Sequence, residues 1–188
     1  MCSHMGYNLY GKQLGIIGLG RIGKATAKRA TALGMSISYY NRNRLDADIE
    51  QAYNASYKDM DELLASCDII SIHTPLHDGS RHLIGDRELS LIKPTAYIIN
   101  TARGPVIDEK AMIKSLSEGR LAGAGLDVFE REPKIPVELL KMDNVVLTPH
   151  IGTDTYETRI AMTRDAAKNI IDILSGQRST YIINPVTL

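Results

Sequence analysis

Strand-length apolar runs alternate with helical patterns along this chain, and that alternation constrains its fold more than any other feature. The runs are short and rich in Ile, Val, Leu or Tyr: near Gln13 to Ile17, Ser36 to Tyr40, Asp68 to His73, Ala96 to Asn100, Ala122 to Asp127 and Val145 to Leu147. Helical patterns lie between them at Ile22 to Leu33, Met60 to Ala65, Asp108 to Glu118 and Thr155 to Leu174, the last an amphipathic stretch ended by Gly176. Strands joined through helices run parallel and are covered on both faces, which is why they read as nearly continuous apolar runs. The expected fold is α/β, a doubly wound parallel sheet in a single domain. A length of 188 residues suits one core of that kind.

Charge excludes several function classes. Twenty-two basic residues balance twenty-two acidic ones, so nothing in the net charge attracts nucleic acid or an anionic membrane. No apolar run approaches the roughly 18 residues that span a bilayer, and the N-terminus lacks a secretion-signal pattern, so a cytoplasmic protein without membrane contact is expected. Cys2 and Cys67 are neither a disulfide framework nor spaced as metal ligands. Cys67 is expected to be buried and inert, and no metal is expected. Residues 1–10 read as a tag remnant or hinge segment.

The segment Gly18-Leu19-Gly20-Arg21-Ile22-Gly23 directly follows an apolar strand and opens a helix. That setting lifts a glycine motif above coincidence. Gly18 permits a tight turn, Gly20 lets the backbone approach a pyrophosphate, and Gly23 lets the helix pack against the strand. The amides of the helix start, with the helix dipole behind them, favour a phosphate. A Rossmann-type dinucleotide domain over residues 11–183 follows. An NAD-specific site would place Asp or Glu at the end of the second strand to bond the ribose 2′-hydroxyl. Here that strand ends in Asn41-Arg42-Asn43-Arg44. Asn41 can donate to a 2′-phosphate and Arg42 can pair with it, so NADP(H) is preferred over NAD(H).

Three more segments sit at strand ends, the edge that open α/β sheets use for ligands. Arg103, in Thr101-Ala102-Arg103-Gly104, offers a planar fork suited to a carboxylate. The run Asp127-Val128-Phe129-Glu130-Arg131-Glu132 holds three acids, and spacing does not choose among them. His150, in Pro149-His150-Ile151-Gly152, can donate a proton to a developing alkoxide, with a carboxylate on its other nitrogen fixing the tautomer.

With these four motifs in order, the sequence from Gly11 onward resembles the coenzyme domain of the D-isomer-specific 2-hydroxyacid dehydrogenases, and among them the glyoxylate and hydroxypyruvate reductases. The resemblance implies that Arg103 holds the substrate, that Glu132 is the partner of the histidine, and that His150 is the acid/base. It also implies cofactor contacts by the backbone of Arg21 and Ile22, around His73, Thr74 and Pro75, at Ser80, across Thr101, Ala102 and Arg103, at Asp127 for the carboxamide, and at His150 and Gly152. Asp154 departs from the family's small residue and reads as a helix-start acid. The implied partner is a small 2-oxo or 2-hydroxy acid, and a homodimer joined through this domain is expected.

Family members also carry a substrate domain. Tyr7 to Lys12 resembles the segment entering the coenzyme domain, and Asn184-Pro185-Val186, within residues 184–188, the one leaving it. The chain therefore reads as part of a longer enzyme, expected to bind cofactor and to turn over substrate poorly by itself. The competing reading is a dinucleotide-sensing interaction module resembling the family's corepressors, without turnover.

Overall fold

The computed structural model describes residues 6–177, which form two compact units meeting at the His150/Ile151 bond. The first unit carries seven strands: β1 (Gln13–Ile17), β2 (Ser36–Tyr40), β3 (Ala55–Tyr57), β4 (Ile69–Ile72), β5 (Tyr97–Asn100), β6 (Gly123–Leu126) and β7 (Val145–Leu147). Every pairing is parallel, in the order β3-β2-β1-β4-β5-β6-β7. The order reverses direction beside β1, which creates the switch point where such sheets hold ligands. The helices of this unit are α1 (Arg21–Ala32), α2 (Ala47–Ala52), α3 (Met60–Ser66), α4 (Asp86–Leu91) and α5 (Glu109–Ser117).

The pleat of β1 explains why both faces are apolar. Leu14 and Ile16 pack with Ala27 and Ala30 of α1, with Ile37 and with Tyr39, while Ile17 joins Leu63, Leu64, Ile70 and Ile98 in the second core. Gly15 keeps the second face thin enough for α3, since a Cβ there would stand 2.7 Å from Leu63 Cδ2 and 2.8 Å from Cys67 Sγ. Cys67 is fully buried, and desolvation pushes its thiol pKa upward, so it packs as a small hydrophobe.

All six expected strands and all four expected helices are present, within two residues at each end. α2, β3 and α4 were not expected. They are three to six residues long, too short to establish a hydrophobic period, and β3 is an edge strand stabilised by its register with Ile37 to Tyr39. The second unit contains α6 (Tyr156–Leu174), capped by Thr155, whose Oγ1 accepts from Thr158 N–H at 3.2 Å. Asp154 precedes that cap and accepts from Arg159 Nε at 3.0 Å. The opening Met1 to Met5 and the segment Thr180 to Pro185, which the sequence suggests as a strand, lie outside the described residues, as does the exit segment 184–188.

Candidate active site

The three glycines of the first turn have separate physical jobs. Gly18 has φ +98°, and a Cβ on it would meet His73 C and Thr74 N at 2.9 Å, so the turn beside β4 requires glycine. At Gly23 a Cβ would stand 2.4 Å from Gly18 O, because α1 starts against the turn that launches it. Nothing lies within 4 Å of a Cβ on Gly20. That residue is the N-cap of α1 and makes no side-chain cap bond. The first bond of the helix runs from Lys24 N–H to Gly20 O, so the N–H groups of Arg21, Ile22 and Gly23 precede it and face outward. Open space in front of unsatisfied amides at a helix start is the geometry that an incoming pyrophosphate needs, so these residues fit a dinucleotide.

A crevice of about 370 Å³ continues from that turn. Gly18, Gly20, Asn41, Arg42, His73, Thr74, Pro75 and Ser80 line it, together with Tyr40, His77, Gly79 and Leu83. Leu19 N–H donates to Asn41 Oδ1 at 2.7 Å, which ties the glycine turn to the end of β2 and leaves the Asn41 amide nitrogen without a partner among the described residues. Ser80 is buried and closes its own loop: its hydroxyl donates to Pro75 O at 2.7 Å and accepts from His77 N–H at 2.8 Å. Its hydroxyl is thus spent on shaping the crevice wall. Burial pushes the pKa of His73 below the ordinary imidazole value, and its Nε2 lies 2.9 Å from Ser71 Oγ. The side chain of Arg21 lines a separate basic hollow on α1 with Lys24, Lys28 and Arg29, leaving only its backbone N–H for the pyrophosphate.

The other expected residues gather at the ends of β5, β6 and β7. Asn100, at the end of β5, is almost wholly buried; its Oδ1 accepts from Ala102 N–H and its Nδ2 donates to Arg103 O, both at 3.0 Å. The side chain thereby shapes the Thr101 to Arg103 turn from which the guanidinium projects. Arg103 Nη1 donates to Ala102 O at 2.6 Å, and Nη2 and Nε have no partner among the described residues. The next residue, Gly104, backs directly onto the chain after β6: a Cβ there would stand 2.0 Å from Phe129 C and 2.1 Å from Phe129 O. The Arg103 turn and the Glu132 segment are therefore in backbone contact.

Among the three acids, the structure pairs Glu132 with the histidine. His150 Nδ1 lies 2.8 Å from Glu132 Oε2, and Phe129 N–H donates to Glu132 Oε1 at 3.1 Å. The His150 bond is the largest cause holding the Glu132 carboxyl below the ordinary glutamate range, with lesser help from the Phe129 amide and from the Arg103 charge; desolvation opposes them. Nδ1 of His150 is thus committed, and Nε2 has no partner among the described residues. His150 sits at φ +55°, a left-handed conformation uncommon outside glycine, at the end of the first unit. The other two acids are occupied elsewhere. Asp127 is buried and accepts from Thr148 Oγ1 at 2.6 Å, and Glu130 Oε1 lies 2.6 Å from His82 Nε2. Gly152 falls in the second unit.

Asn100, the last residue of the Ala96 to Asn100 run, was not among the expected site residues. A buried amide directly before a turn is the signal that could have found it. His77, Gly79 and Leu83 carried no signal, because a short 3-10 turn at Asp78–Ser80 brings them to the crevice.

Residues 2–152 match the family model described as "D-isomer specific 2-hydroxyacid dehydrogenase, NAD binding domain". A glyoxylate reductase of Thermococcus litoralis is 51% identical over 180 residues, covering 96% of this chain and 54% of that protein. One from Pyrococcus horikoshii is 48% identical with the same coverage. A solved glyoxylate reductase from Paecilomyes thermophila superposes with a TM-score of 0.88 at 43% identity, covering 95% of this chain and 54% of that one. The chain spans about half the length of the curated relatives it matches.

Proposed function

The chain belongs to the D-isomer-specific 2-hydroxyacid dehydrogenase family, and from that premise we propose that it is the coenzyme-binding part of an NADPH-dependent reductase of a small 2-oxo acid such as glyoxylate. The observation that carries the proposal is the Glu132–His150 pair held beside the Arg103 turn, on the same carboxyl edge of the sheet as the dinucleotide crevice. The residues of that crevice would hold a reduced nicotinamide, which would supply hydride for the C2 carbonyl. Glu132 accepts from His150 Nδ1, which orients the ring so that Nε2 delivers the proton to the carbonyl oxygen. Arg103, with Nη2 and Nε available, orients the substrate carboxylate and offsets the charge growing on the oxygen. The product is the 2-hydroxy acid.

The preference for NADP(H) is supported by Asn41, whose nitrogen is left to donate, and by Arg42, which lines the crevice with no partner among the described residues. A cytoplasmic location belongs to the same proposal, as does a homodimer, which rests on family resemblance. The relatives named above are all called reductases, which favours turnover over a purely sensing module.

Two measurements test the proposal. Calorimetric titration is expected to give NADPH at least about tenfold tighter binding than NADH, from one charge-assisted contact to the 2′-phosphate. Equal affinities would remove the NADP part. In glyoxylate-dependent oxidation of NADPH by an enzyme that carries this domain together with a substrate domain, His150→Ala is expected to lower kcat by at least about a hundredfold while leaving cofactor affinity unchanged. Weakened NADPH binding instead would remove His150 from its role as the acid.

A further inference from the structure

The linear sequence lacks an acid at the end of the second strand, yet the fold delivers one there from α2. Tyr39 of β2 is fully buried, and its hydroxyl donates to Glu50 Oε1 at 2.6 Å while accepting from Leu45 N–H at 2.9 Å. The loop after β2 therefore folds back on the strand, and Glu50 is packed against its root. Arg44 then caps the carboxylate with a fork, Nε to Oε1 at 2.9 Å and Nη2 to Oε2 at 2.8 Å, and its guanidinium stands 5.7 Å from the centre of the Tyr57 ring. Arg42, two residues earlier, lines the crevice, whereas Arg44 does not. The two arginines of the loop thus have different work.

We propose that Arg44 is a specificity-determining residue that acts by masking Glu50, so that a cofactor carrying a 2′-phosphate is admitted beside Arg42. The inference rests on the NADP(H) reading above and goes beyond it, because the arginine concerned is not among the residues that line the crevice. Arg44 and Tyr39 hold the Glu50 carboxyl at about 2, so the group is ionised throughout the physiological range. With Arg44 in place the pair is neutral overall. Without it, a fixed negative charge faces the base of the loop that must receive a phosphate dianion, and a carboxylate at this end of the second strand is what favours NAD over NADP in dinucleotide sites generally. The neighbouring acids Asp46 and Asp48 are exposed at the start of α2, where the helix dipole and water already stabilise them, and neither is bonded to Tyr39.

The test is a calorimetric titration of NADPH and of NADH against the wild-type chain and Arg42→Ala, Arg44→Ala, Glu50→Gln and Arg44→Ala/Glu50→Gln variants, each checked by its melting curve. Arg44→Ala is expected to weaken NADPH by about fivefold to tenfold at low salt, less at high salt, with NADH changed by less than about twofold. Adding Glu50→Gln should return NADPH to within about twofold of wild type, since the charge that Arg44 had to mask is gone. A double variant as weak as Arg44→Ala would overturn the proposal, because Arg44 would then be contacting the phosphate or holding the loop. NADPH binding unchanged by Arg44→Ala would overturn it equally. The Arg42→Ala arm reads the underlying assignment separately: a preference that survives it dismisses Arg42 as the phosphate ligand, whatever Arg44 does.

Discussion

Replacing Gly20 by alanine separates the cofactor site from the fold that carries it. The backbone at Gly20, φ −84° and ψ −157°, is open to any residue, and an added Cβ meets nothing within 4 Å. Two small effects on stability oppose each other. Alanine is a poorer N-cap than glycine by about 0.5 kcal/mol, and it narrows the unfolded ensemble by about 0.4–1 kcal/mol. The net change is within about 1 kcal/mol, so Tm should move by no more than about 4 °C. The methyl group does occupy the approach to the Arg21 and Ile22 amides. Losing one amide–phosphate bond of the charge-assisted kind costs about 1.5–3 kcal/mol, or roughly tenfold to a hundredfold in Kd. Differential scanning fluorimetry and calorimetric titration of NADPH measure the two quantities on the same sample. Gly18→Ala is the control: its φ of +98° and its 2.9 Å approach to the backbone of His73 and Thr74 predict a large loss of stability. Unchanged NADPH affinity in Gly20→Ala, with Tm intact, would refute the placement of the pyrophosphate at this turn.

Gly104→Ala should lower Tm by about 3–10 °C, since its Cβ overlaps rigid backbone at Phe129 and overpacking costs about 1–3 kcal/mol. Asn100→Ala removes both bonds that shape the Arg103 turn and leaves two backbone groups unpaired, so the urea midpoint should fall by an amount equivalent to about 1–3 kcal/mol with the m-value unchanged. Glu132→Gln changes the acid limb of stability. The folded carboxyl lies below its unfolded value near ~4.3, so its contribution is present above that pH and is lost as pH falls through the folded value. Urea midpoints of wild type and variant should therefore differ most near neutral pH and converge in acid. A constant offset across that range would remove the linkage.

The strand–helix alternation and the glycine turn were legible without coordinates because both are local. A β1 run of Leu14 to Ile17 buried on both faces must be apolar, and a turn at φ +98° must be glycine, whatever the rest of the chain does. The positions of Arg103, Glu132 and His150 at strand ends were legible for the same reason: a parallel sheet sends all its carboxyl ends to one edge. β3 and α2 were not legible, because a three-residue strand is stabilised by its neighbour β2 and not by a pattern of its own.

Family resemblance implied Glu132, but the physical reason for choosing among like residues lies in the tertiary structure. Spacing offered three acids after β6, and only the paired ends of β6 and β7 bring Glu132, in place of Asp127 or Glu130, to 2.8 Å from His150. It also offered two arginines after β2, and the hydroxyl of the buried Tyr39 had to meet Glu50 before Arg44 could be set apart from Arg42. Residue type and local period determine which elements form and which edge carries the chemistry. Hydrogen bonds and charges act over a few ångströms across residues distant in sequence, so the identity of each partner is decided only when the chain has folded.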